Sequence, residues 1–249
     1  MAQLTLATDD DGGPEIFASV QGEGPSAGMP CTFIRLSRCN LACVWCDTAY
    51  TWRFKGDAQN PPRPHRDDAV FDRKANQVTL DIADVAARIE AHGQNRLIIT
   101  GGEPLLQSPA LAELLKQLPD MTVEIETNGT TTAPGGVDIW VDQYNVSPKL
   151  AHSGNAADLA LIPERLRSYS IDKRAFFKFV VASEADVDEV ADLVRAHALP
   201  KARVFLMPEG TDSETLRTRE QWITQSCLKH GFRMSDRLHI HLFGDTRGT

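Results

Sequence analysis

The stretch "CNLACVWCDT", residues 39–48, carries three of the chain's five cysteines, Cys39, Cys43 and Cys46, at the spacing C-x3-C-x2-C. The run before it, "CTFIRLSR" (31–38), is short, apolar and β-rich, which predicts a strand that delivers the chain into the cysteines. Beyond them strands and helices alternate. "TLDIADVAARIEAHG" (79–93) spaces Leu80, Ile82, Val85, Ala86 and Ile89 as a helix does, with Gly93 as a stop. "RLIITGG" (96–102) reads as a buried strand, and "SPALAELLKQL" (108–118) as a helix with Ser108 as N-cap and Pro109 in its first turn. Further strands are predicted at 122–129, 139–149, 175–183 and 202–210, with helices at about 156–168, 184–198 and 213–230. Such alternation predicts an α/β fold with a parallel sheet and helical crossovers. The polar tips "TGGEP", "ETNG", "SPK" and "MPEG" all fall at the C-terminal ends of predicted strands, the edge that carries the site in such folds.

Two stretches break the rhythm. Residues 54–77 are polar and proline-containing with little periodicity, and predict a long loop inserted after the cysteines. The tail "RLHIHLFGDTRGT" (237–249) predicts a last strand and a polar end.

Composition sets the class. The chain has 249 residues, 42% hydrophobic and 24% charged, with a net charge of −8. An acidic chain without a basic cluster is a poor match for nucleic acid, which selects a positive face. The N-terminal "MAQLTLATDDDGGPEIF" has acids where a signal peptide has lysines, and no apolar run reaches the ~18 residues of a membrane span. The expected setting is the cytoplasm, where clustered cysteines more often bind metal than form disulfides.

A structural zinc site takes four ligands, commonly two separated pairs, and no second pair follows this triplet. A [4Fe–4S] cluster takes four thiolates, so three leave one iron open to another ligand. An open iron can chelate the amino and carboxylate groups of S-adenosylmethionine (SAM), and an electron from the cluster can then cleave the sulfonium to a 5′-deoxyadenosyl radical. The alternatives are a zinc site completed by a distant histidine, or three buried cysteines.

The triplet, with Trp45 before its last cysteine, resembles the cluster motif of the radical SAM superfamily. Together with "FASVQGEGPSAGMPCTFIRLSR" (17–38), "TGGEP", "ETNG", "VSPK" (146–149) and "GDTRGT" (244–249), the chain resembles the 7-carboxy-7-deazaguanine synthase family, in the family's order from Phe17 to Thr249. The resemblance implies one radical SAM domain over 1–249, a partial (incomplete) TIM-like barrel with a variable insertion at about 54–77. It implies conversion of 6-carboxy-5,6,7,8-tetrahydropterin to 7-carboxy-7-deazaguanine and ammonia by radical ring contraction, in 7-deazapurine (queuosine) biosynthesis. It further implies recycled SAM, Mg2+, a flavodoxin- or ferredoxin-type electron donor and a homodimer. Rival readings are an activase of glycyl-radical proteins, which lacks the "QGEG" and "RGT" context, and a zinc-stabilised binding protein without catalysis.

By the same resemblance Cys39, Cys43 and Cys46 ligate iron, and Thr48 binds Mg2+ beside the substrate carboxylate. Trp45, Asp47, Gly102, Glu103, Ser147, Pro148, Lys149, Met207, Pro208, Glu209 and Gly210 lie against SAM. Val20, Gln21, Gly22, Arg35, Thr100, His239 and Thr249 form the pterin pocket. Arg35, a guanidinium in an apolar strand, suits a carboxylate through two hydrogen bonds, with a surface salt bridge as the plain alternative. Glu126, at a strand end, is the candidate for moving a proton during contraction, against a purely structural hydrogen-bonding role. For Trp45 the plain reading is core packing, and for Thr48 a turn.

Overall fold

The structure, a computed structural model, describes residues 2–56 and 64–249. One continuous sheet organises them. Its strands are β1 (Gln3–Ala7), β2 (Ile16–Val20), β3 (Pro30–Leu36), β4 (Gln77–Asp81), β5 (Arg96–Gly101), β6 (Thr122–Thr127), β7 (Gln143–Val146), β8 (Ala175–Val181), β9 (Val204–Pro208) and β10 (Arg233–Met234). The order is β10-β9-β8-β7-β6-β5-β3-β1-β4, with β2 also paired to β3. From β3 through β10 every pairing is parallel, while β1, β2 and β4 join antiparallel. The two ends of the sheet do not pair, so the barrel is incomplete.

The helices are α1 (Arg73–Asn76), α2 (Ile82–Ala91), α3 (Ser108–Leu115), α4 (Gly135–Asp138), α5 (Ala157–Ala160), α6 (Pro163–Ile171), α7 (Glu184–His197), α8 (Ser213–His230) and α9 (Leu238–Phe243). None is long and apolar enough among the described residues to cross a membrane.

The two-residue period of the strands decides which face is which. Ile34, Leu36, Leu97, Ile99, Val123, Ile125, Tyr144, Val146, Phe177 and Phe179 alternate along β3 and β5–β8 and form the core with α2, α3, α7 and α8. The residues between them are polar where β3, β6, β7 and β8 reach the other face: Arg35, Glu124, Glu126, Asn145 and Lys178. Register brings Arg35 beside Thr100 and Glu126 beside Asn145. One pattern thus builds an apolar shell and a polar bowl.

Several boundaries differ from the sequence expectation. The predicted helix at 79–93 starts at Ile82, because Gln77–Asp81 pairs along its whole length with β1. Ser108 lies inside α3, with Gln107 as N-cap and the Ser108 hydroxyl donating to the Leu105 carbonyl at 2.6 Å. The predicted strand 139–149 shrinks to β7, since Trp140 N–H closes a turn on Val137 and Ile139 is exposed. Pro163, which lacks an N–H, divides the predicted helix 156–168 into α5 and α6. The tail is no strand: residues 238–243 form α9, in which only Ile240 is buried, and Gly244 ends it at φ +72°. Its alternating "LHIHL" spans too few residues to separate the two periods. The expected loop 54–77 contains α1 and a bridge between Phe54 and Phe71, and its residues 57–63 lie outside the described residues.

The tail returns to the start of the chain. The Arg247 guanidinium lies 3.6 Å from the centroid of the Tyr50 ring and donates to the Asn76 side chain at 3.1 Å. Its second contact is the Thr8 carbonyl, at 3.5 Å.

Phe177, fully buried on β8 between two parallel neighbours, is a direct test of the shell. Phe177→Ala is expected to cost about 3–5 kcal/mol, read as a lowered denaturant midpoint.

Candidate functional site

A cavity of about 420 Å³ opens at the C-terminal ends of the parallel strands, a size suited to a cofactor and a small substrate. Cys39, Cys43 and Cys46 line it from the loop that follows β3. That loop begins at Arg38, a left-handed residue at φ +80°, whose N–H donates to the Thr51 carbonyl at 2.7 Å. The Gly101–Gly102 turn after β5 packs directly on it. Gly102 N–H donates to the Leu36 carbonyl and Glu103 N–H to the Arg38 carbonyl, at 3.0 and 2.9 Å. A Cβ on Gly102 would overlap the Arg38 carbonyl and stand 2.9 Å from the Cys39 Cβ. Glycine is therefore required here by close approach.

Each sulfur faces a donor. Leu41 N–H points at Cys39 Sγ (3.4 Å), Asn155 Nδ2 at Cys43 Sγ (3.2 Å) and Trp52 Nε1 at Cys46 Sγ (3.3 Å). Such donors suit thiolates on a metal. Burial pushes the free Cys39 thiol up to about 12 and Cys43 to about 11, and raises Cys46 as well. A metal taking these ligands must displace their protons. Three thiolates from one short loop suit three corners of a [4Fe–4S] cluster and leave one iron open. Cys31 and Cys227 are buried on β3 and α8, outside the cavity.

Around the cysteines, Trp45, Asp47, Gly102, Ser147, Lys149, Met207, Glu209 and Gly210 line the wall. Trp45 stacks on His152 at 5.4 Å between centroids, and its Nε1 is buried with no partner. Lys149 Nζ donates to the Ser147 carbonyl at 2.7 Å.

The same cavity is lined by Val20, Gln21, Gly22, Arg35, Thr48, Thr100, Glu126, His239 and Thr249, with the Thr48 hydroxyl 3.6 Å from Cys46 Sγ. Buried ion pairs join this wall. Arg237 pairs with Asp47 and Glu23, and Lys178 pairs with Glu23 and, at 2.8 Å, with Glu126. Burial alone would raise Glu23, but Lys178 and Arg237 hold it far below the usual carboxylate range. Glu126 goes the other way: burial raises it despite Lys178. Gln21 and Asn145 amides donate to its second oxygen at 3.1 and 2.9 Å. Burial lowers His239, which leaves its ring neutral at neutral pH.

Comparison with known proteins agrees with this geometry. Residues 33–221 match the sequence profile of the Radical SAM superfamily. The chain is 36% identical to the 7-carboxy-7-deazaguanine synthase of Pyrobaculum aerophilum, covering 94% of this chain and 95% of that one. The corresponding enzyme of Hyperthermus butylicus is 34% identical over 91% and 90%. The chain belongs to the 7-carboxy-7-deazaguanine synthase family. Its fold is similar to that in the crystal structure of QueE from Escherichia coli, with a TM-score of 0.66, 24% identity and 96% of each chain covered.

Within this synthase family frame, most residues singled out from sequence meet in one cavity. Three do not. Glu103 is fully buried beneath the wall, and its carboxylate accepts from the Leu105 and Asn128 N–H groups and the Thr127 hydroxyl, so the expected contact to SAM is not presented. Pro148 and Pro208 are not among the residues that line the cavity. Arg35 is neither a free clamp nor a surface pair. Its Nε is held at 2.6 Å by the buried Glu15, and its two terminal nitrogens have no hydrogen-bond partner among the described residues. Sequence reasoning missed Glu23, Lys178 and Arg237. Lys178 gave a readable signal, a lone cation within "AFFKFVV", the same signal that singled out Arg35.

Gly102→Ala should displace the Cys39 backbone. The expected outcome is a folded protein that binds at least ~10-fold less iron on anaerobic reconstitution, measured by iron analysis.

Proposed function

We infer that the protein converts 6-carboxy-5,6,7,8-tetrahydropterin to 7-carboxy-7-deazaguanine and ammonia, as a radical SAM lyase of 7-deazapurine (queuosine) biosynthesis. The single observation that carries this reading is the meeting of the cysteine triplet and the charged pterin-side wall in one cavity. Cys39, Cys43 and Cys46 would hold the [4Fe–4S] cluster, and Thr48 would contribute a hydroxyl to Mg2+. When bound, the cluster and SAM supply the radical that takes a hydrogen atom from the pterin.

The chain's own residues bind, orient and hold protons. The free terminal nitrogens of Arg35 suit the substrate carboxylate, with Glu15 fixing the guanidinium plane. Gln21, Thr100, neutral His239 and Thr249 offer donors and acceptors to the pterin edge. Burial raises Glu126 and Lys178 opposes that rise, the setting of a carboxylate that can take up and give back a proton. Trp45, Ser147, Lys149, Met207, Glu209 and Gly210 would wall the SAM side.

The family membership supports a flavodoxin- or ferredoxin-type electron donor and a homodimer. Five free cysteines support a reducing compartment such as the cytoplasm. The acidic balance supports a small molecule rather than nucleic acid as ligand. The continuous sheet supports one catalytic unit over 1–249 with an insertion at about 54–77.

Anaerobic incubation of the iron-loaded protein with SAM, a reductant and the carboxytetrahydropterin should yield 7-carboxy-7-deazaguanine by mass analysis. Absence of that product from protein that cleaves SAM would refute the substrate. Arg35→Ala should raise KM for the pterin by roughly 10–100-fold and leave SAM affinity unchanged; equal losses would remove its role. Lys178→Met should move the acidic limb of the kcat/KM profile to higher pH, because Glu126 loses the cation that favours its charged form. An unmoved limb would assign that limb to another group.

A further inference from the structure

The described part of the insertion, from residue 64 onward, packs against the cysteine loop. His65 is 6% exposed, and its Nε2 lies 2.8 Å from the Cys46 carbonyl oxygen. The Asp67 N–H donates to the other ring nitrogen, Nδ1, at 3.3 Å. Nδ1 therefore carries the lone pair and Nε2 the proton, which the Cys46 carbonyl accepts. The Asp67 carboxylate stands 3.9 Å from Nδ1, beyond hydrogen-bond reach.

Two more contacts come from the next residue. Arg66 N–H donates to the Val44 carbonyl at 2.8 Å, and its guanidinium pairs with Glu209 Oε1 at 2.9 Å. Glu209 lines the cavity from the segment after β9 and is also paired to Arg219. Trp52, which donates to Cys46 Sγ, meets the His65 ring edge-on at 6.5 Å.

We propose that His65 is a positioning residue whose Nε2–H fixes the peptide between Cys46 and Asp47, and that residues 65–66 strap the cysteine loop to the cavity wall at Glu209. That peptide has a sulfur ligand on one side and the cavity-lining Asp47 and Thr48 on the other. Its rotation would misdirect all three at once. The strap acts through two backbone carbonyls of the cysteine loop, so it orients the ligands without touching iron, SAM or substrate. This rests on the reading that the triplet holds a cluster.

The test compares two amides. In His65→Gln the side-chain N–H reaches where Nε2 stood, whereas in His65→Asn it reaches only to the Nδ1 position. Both variants and the wild type are loaded with iron anaerobically, and release to a chelator is followed by absorbance. The Mg2+ concentration for half-maximal turnover is measured alongside. His65→Gln is expected to match the wild type. His65→Asn is expected to release iron about 10-fold faster and to need more Mg2+. Variants indistinguishable from each other overturn the role of His65. Arg66→Met, which cuts only the link to Glu209, should also release iron faster, and unchanged release overturns the strap. A wild type that takes up no iron removes the functional reading and this inference with it. An iron-loaded wild type with indistinguishable variants removes the inference alone.

Discussion

A chain of alternating charge crosses the floor of the cavity: Asp47, Arg237, Glu23, Lys178, Glu126. Lys178 and Arg237 are buried, Glu23 and Glu126 nearly so and Asp47 partly, and each of the three inner members has an opposite charge on either side. Charges taken out of water are costly unless paired, and removing one partner of such a pair costs about 3–5 kcal/mol. The five groups come from the cysteine loop, the tail, the segment after β2, β8 and β6. Their pairing therefore fixes where those five pieces stand relative to one another, and the rest of the bowl follows.

The chain also joins two chemistries. Asp47 follows Cys46 directly, at the thiol end, while Glu126 sits at the other end with Gln21 and Asn145. Three carboxylates alternate with two cations along it, and burial keeps His239 beside them neutral. The apolar shell outside, from Ile34 to Phe179, holds the strands whose alternate residues make this floor.

Much of the fold could be read from the residues, because the parallel strands carry their signal locally. "RLIITG", "TVEIET" and "AFFKFVV" each carry enough β-branched and aromatic residues to be seen alone. The antiparallel edge escaped notice: β1 owes its strand state to pairing with the distant β4, and β2 to its partner β3 across the intervening turn. The tail helix escaped for the opposite reason, as five alternating residues mimic a strand until Gly244 ends the turn. In the site, motifs that reach the cavity through local geometry were legible: the cysteine spacing, the Gly-Gly turn, the Thr48 position. Groups that matter through partners far along the chain were not. Glu23 and Arg237 are 214 residues apart in their hydrogen bond, and no local pattern announces such a pair. Glu103 turns inward for a related reason: apart from the nearby Leu105 N–H, its donors, Thr127 and Asn128, come from one segment farther along the chain.

The clasp of Arg247 over Tyr50, with its contacts to Asn76 and Thr8, has a consequence for biogenesis. Residues 244–247 and 249 wall the same cavity as residues 20–23, so that side of the vessel forms only once both segments have been made and have met.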